Sequence, residues 1–211
     1  MKKKKLITLV GALALIGALG VGATLAYFTD NASVGNVITM NHVDIKLTET
    51  QGYKEGTEEP ILTEEGLTID GVIPGATFDK DPTVTVQEGS ANCYVRMNMD
   101  LSVPDGSEIT EADLAALEED LKAQILTNKD WSYNEDGYYY FASELTAGGQ
   151  AVLFDDVTIP VTWKNNTADQ TFHIVITAEA IQSEHTEGVV TKDADGKVTA
   201  WSLTAEEIEK Y

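Results

Sequence analysis

Beyond residue 40 the apolar residues of this chain come in short runs that alternate with polar ones, and turn-forming residues separate the runs. A period of two places every second side chain on one face of a strand, whereas a helix repeats near every 3.6 residues. The clearest run is Cys93-Tyr94-Val95-Arg96-Met97-Asn98-Met99-Asp100-Leu101, in which Cys93, Val95, Met97, Met99 and Leu101 share a face. Cys93 is therefore expected in the core as a small apolar filler, since no activating base accompanies it as a nucleophile would require. It is the only cysteine, so no intramolecular disulfide forms and packing alone must hold the fold.

The remaining runs extend this pattern. Val37–Thr39, Val43–Leu47, Thr83–Val86, Ala151–Phe154 and Val157–Trp163 read as strands. Trp131–Tyr133 and Gly137–Phe141 flank an Asp-Gly turn and read as a hairpin, as do Val189–Lys192 and Lys197–Trp201 around Asp193–Gly196. Thr171–Ile181 is the longest strand, with Phe172, Ile174, Ile176, Ala178 and Ala180 on one face. Residues 49–66, rich in Glu, Gly and Thr, read as an exposed loop. One segment breaks the period: Thr110 stands at an N-cap position, acids follow it, and Leu114, Leu117, Leu121 and Ile125 form one apolar stripe. The fold class expected is mainly β, a jelly-roll-like antiparallel β-sandwich with one inserted α-helix over about 110–126.

Residues 1–26 have the form of a cleavable signal peptide. Lys2 to Lys5 make a positive n-region, Leu6 to Phe28 carry no charge, and Thr24-Leu25-Ala26 offers small residues for cleavage between Ala26 and Tyr27. An uncleaved membrane anchor is the alternative, because the uncharged stretch reaches the roughly 20 residues that a bilayer requires. Its four glycines favour cleavage. No second apolar run of that length follows, so no stable membrane span is expected after cleavage, and residues 27–211 should form a single secreted domain. Cleavage removes four of the 14 basic side chains and none of the 35 acidic ones, leaving a chain more negative than its full-length formal charge of −21. Such a surface repels nucleic acid and anionic lipid, and no nucleic-acid partner is expected.

The junction Ala26-Tyr27-Phe28-Thr29-Asp30, followed by Gly35-Asn36-Val37-Ile38-Thr39 and Val43-Asp44-Ile45, resembles the TasA/camelysin family of Gram-positive bacteria. Ile73-Pro74-Gly75, Lys80-Asp81-Pro82, Tyr94-Val95-Arg96, Gly137-Tyr138-Tyr139-Tyr140, Val157-Thr158-Ile159-Pro160 and Ala178-Glu179-Ala180-Ile181-Gln182 continue the likeness to about Gln182. The resemblance implies a jelly-roll domain, export through a SipW-type signal peptidase, and a place in biofilm-matrix fibres or at the cell surface. It also implies a homo-oligomer, or association with related fibre proteins, in which the N-terminal segment of one subunit completes the sheet of the next. Tyr27, Phe28, Val34, Val37 and Ile38 are the candidate assembly strand, because their apolar area seeks burial and a sheet edge offers unpaired backbone groups. Packing within their own domain accounts for the same residues equally well. A monomeric surface adhesion or binding module is the alternative for the whole domain.

Camelysin has been classed as a metallopeptidase, so the resemblance raises catalysis as a further alternative. A zinc peptidase needs converging ligands and a general base. Only His42, His173 and His185 are present, without a His-Glu-x-x-His pair, and the alternation turns His173 away from the core side of its strand. No catalytic, cofactor or metal residues are assigned and no enzyme is expected. Weak calcium binding at Asp193 and Asp195, or at Asn134-Glu135-Asp136-Gly137, is not favoured, because both turns lack the remaining ligands of a calcium loop.

Overall fold

Strands with the expected alternation dominate the computed structural model, which describes residues 42–49, 61–63, 66–68, 73–164, 167 and 170–208. These belong to one compact unit, Asn41–Tyr211. The signal junction and the Val37–Thr39 strand lie outside the described residues.

In chain order the elements are β1 (Ile45–Thr48), β2 (Ile61–Thr63), β3 (Gly66–Thr68), β4 (Thr77–Asp79), β5 (Thr83–Val86) and β6 (Cys93–Ser102). Then come α1 (Glu111–Thr127), β7 (Trp131–Tyr133), β8 (Tyr138–Phe141), β9 (Gln150–Val152) and β10 (Asp156–Thr158). The chain continues through β11 (His173–Gln182), β12 (Val190–Lys192) and β13 (Val198–Trp201) to α2, the single turn Ala205–Ile208. One layer is an antiparallel sheet in the order β11-β6-β8-β7, and the other combines β1-β5-β9 with the pair β10-β4. The chain is thus mainly β, an antiparallel sandwich with one long inserted helix.

The core forms where the layers meet. Cys93, Val95, Met97 and Met99 of β6 pack with Val84 and Val86 of β5, Phe78 of β4 and Val157 of β10. Helix α1 adds Leu117, Leu121 and Ile125 to the same cluster. Its start is fixed by a reciprocal capping box: the Thr110 hydroxyl accepts from the Asp113 amide at 3.2 Å, and Asp113 accepts from the Thr110 amide at 2.9 Å. Trp131 joins this core and its indole N–H donates to the Val152 carbonyl at 2.7 Å, tying β7 to β9.

Two expectations are corrected, and one feature is added. Residues 49–66 are not a loop throughout, since Ile61–Thr63 pairs antiparallel with Gly66–Thr68. Val157–Trp163 does not run as one strand: β10 ends at Thr158, and Pro160 turns the chain so that the Trp163 amide donates back to the Pro160 carbonyl at 3.0 Å. The face of β6 opposite the core is covered as well. Tyr94 packs with Tyr140, Ile181, Val198 and Trp201 in a second cluster, because the β12–β13 hairpin folds over that side.

Candidate functional site

The site with the greatest capacity for partnership is a seam along one side of the sandwich. Strand β1 stands at the edge of its sheet and β11 at the edge of the other. The Trp131–Val152 bond places β7 with β9 at the opposite side, so both open edges fall on the same side of the core. Among the described residues neither strand has a second neighbour. Their core-facing side chains are only half covered: Leu47 is 36% exposed, and Ile45, Ile174, Ile176, Ala178 and Ala180 are half-buried against the main core.

Strand β11 is long and regular for an edge. Its ladder to β6 runs from His173↔Ser102 to Gln182↔Cys93 without a bulge. Edge strands are ordinarily blunted by lysine, proline or a bulge, and His173–Gln182 contains none of these. Its single charge, Glu179, is spent on the other face. Val175 points outward and is 52% exposed.

Glu179 belongs to a network that sequence reasoning missed. Arg96 is 2% exposed, donates from Nε to Glu179 at 2.7 Å, from Nη1 to the Tyr140 hydroxyl at 3.1 Å and from Nη2 to the Leu203 carbonyl at 3.2 Å. Its guanidinium lies 3.9 Å above the Tyr138 ring and 4.8 Å from that of Trp201. Burial works against the charge, but the hydrogen bonds that Arg96 donates to Tyr140 and Glu179 outweigh it and hold the Arg96 pKa above its ordinary value. Burial first, then the Asp136 carboxylate that accepts from its hydroxyl, pushes the Tyr140 phenol up. The network fastens the C-terminal segment to β6 and β11. The alternation puts Arg96 on the even-numbered face of β6, where the register sets it opposite Tyr140 and Glu179.

Comparison with protein families, curated proteins and solved structures finds no match. The family likeness therefore rests on the quoted motifs alone.

The other sequence-derived candidates are spread apart. Ala26, Tyr27, Phe28, Val34, Val37 and Ile38 lie outside the described residues. His42, His173 and His185 are all exposed, with His173 on the side of β11 away from the core. Among the described residues no three His, Cys, Asp or Glu side chains converge to hold a metal. At the Asp193 turn one carboxylate oxygen accepts from the amides of Asp195 and Lys197, both at 2.9 Å. In the other turn Asp136 accepts from the Tyr138 amide at 3.0 Å and from the Tyr140 hydroxyl. These are turn-forming uses. Cys93 is fully buried, and burial, reinforced by the nearby Glu144 charge, pushes its thiol up to about 11. The shallow depression beside α1, lined by Leu117, Asp120, Leu121, Gln124 and Thr158, offers neither a histidine nor a cysteine. Among the described residues no helix is long and apolar enough to cross a membrane.

Proposed function

We propose that this protein is an exported structural subunit that assembles into, or associates with, extracellular biofilm-matrix fibres of the TasA/camelysin kind. The observation that supports this most strongly is the seam: two edge strands that have no second strand neighbour among the described residues, one ten residues long, with half-buried apolar side chains on the core-facing side of both. An extended segment laid there satisfies unpaired backbone groups and completes the core at once. The stretch from Tyr27 to Thr39 lies N-terminal to β1 in the sequence and carries the required apolar residues, Tyr27, Phe28, Val34, Val37 and Ile38. Supplied by a neighbour, it makes a head-to-tail contact that repeats indefinitely, and such contacts build filaments rather than closed rings when the rotation does not close.

In this reading export and assembly share one step, because cleavage after Ala26 frees the segment. Electron microscopy of the chain beginning at Tyr27, beside a version lacking Tyr27–Thr39, tests it. Filaments from the first and none from the second are expected. Two monomeric preparations under all conditions would refute the fibre reading and favour the adhesion module.

A further inference from the structure

The face of β11 turned away from the main core is divided along its length. His173, Val175 and Thr177 are exposed, whereas Glu179 is half-buried and Ile181 is 3% exposed. The difference is made by the C-terminal segment, which crosses that face of the sheet from β8 over β6 to β11. Trp201 packs edge-on against Tyr140 of β8 with ring centroids 5.6 Å apart, the Leu203 carbonyl accepts from Arg96 of β6 at 3.2 Å, and α2 lies against β11. Leu203 and Ile208 supply the apolar hold, both half-buried against the cluster that contains Ile181 and Trp201. Thr204 starts α2 with its amide and its hydroxyl both donating to the Glu207 carboxylate at 2.9 Å, which keeps the turn together as it crosses.

We infer that residues 203–208 are a guard on the edge strand: in place, they confine pairing of β11 with a further strand to residues 173–177, and released, they open residues 179–182 to the same pairing. This rests on the assembly reading above and adds an inhibitory contact to its seam. Laying a helix or loop over an edge is one of the ways in which a sheet without lysine, proline or a bulge at its edge avoids unwanted pairing. A helical turn with its side chains is about 10–12 Å across, against about 4.8 Å between neighbouring strands. Set against the last strand of a sheet, such a turn overhangs the place that an added strand would take. The cover is held against a counteracting cost. Among the described residues the Trp201 indole N–H is the buried side-chain donor left without a partner, and opening the segment returns it to water. Opening leaves the rest of the sheet in order, because Arg96 keeps Glu179 and Tyr140 as acceptors and loses only the Leu203 carbonyl.

The double variant Leu203→Gly/Ile208→Ser, in the chain beginning at Tyr27, removes both apolar holds without adding charge. Hydrogen exchange read by mass spectrometry should quicken over residues 179–182 and stay as it was over residues 173–177. Light scattering should show assembly starting severalfold sooner than in the parent chain. Quickened exchange with unchanged assembly kinetics overturns the guard while leaving the fibre reading intact. Unchanged exchange over residues 179–182 overturns the guard as well, because the segment then does not shield the strand. Absence of assembly in parent and variant alike overturns both. Ile208→Ser alone gives the same two readings in smaller measure should the double variant lose its fold.

Discussion

Arg96 shows how one buried charge is made tolerable and what its loss does. Its partner Glu179, two tyrosine rings, Trp201 and a backbone carbonyl replace the water it has lost. Removing one member of a buried pair leaves the other charge uncompensated, typically at a cost of about 3–5 kcal/mol. Arg96→Met should therefore lower urea-unfolding stability by roughly that amount, and Arg96→Met with Glu179→Leu should recover much of it. A single variant that unfolds at the native urea midpoint would show the network to be energetically idle. Cys93 gives a second test at this scale. Below pH 9 its thiol is protonated in both folded and unfolded chains; from there to about 11 the unfolded chain loses the proton first. Stability contributed by this group is thus lost as pH rises through that window. Alkylation of native protein at pH 8 should proceed only as fast as the chain opens, which mass spectrometry follows directly.

At the scale of elements, the helix was legible because two independent signals agreed. The Thr110 cap opens it, and the Leu117-Leu121-Ile125 stripe is the side it buries. Thr110→Ala should cost about 1 kcal/mol and Leu121→Ala about 2–5 kcal/mol, measured by thermal or urea unfolding. Strands β5 and β6 were legible for the same kind of reason, since alternation and burial coincide at Val84, Val86, Cys93, Val95 and Met97. What escaped depended on tertiary context. The even-numbered face of β6 is covered by a hairpin distant in sequence, which the strand's own period does not announce. The strand ending at Thr158 looked longer because Val161 and Trp163 continue the apolar pattern past Pro160, although Val161 is exposed in the turn. The pairing of Ile61–Thr63 with Gly66–Thr68 was hidden by the acidic composition around it. The seam was legible only in part: the inner face of β11 followed from its period, but its position at an edge did not. Val175→Lys places on that edge the charge it lacks, and it should leave the unfolding midpoint almost unchanged while reducing assembly measured by light scattering. Undiminished assembly would point away from β11.

Across the whole molecule, 35 acidic side chains against 14 basic ones, less the four that leave with residues 1–26, set the conditions for association. Copies this negative repel one another over a Debye length, about 10 Å at 0.1 M salt, so assembly should accelerate as monovalent salt is raised. A rate independent of salt would mean that the contacting surfaces lie away from the acidic field. The central claim is a directional one: each subunit accepts an arm at its seam and donates its own. A chain lacking Tyr27–Thr39 keeps the seam but has lost the arm, and should terminate growth wherever it is incorporated. The decisive measurement is fibre length by electron microscopy as this truncated chain is mixed into the full mature one at increasing ratio. The account requires fibres that shorten steadily as the fraction of truncated chain rises. Fibres whose length does not change with that fraction would contradict it.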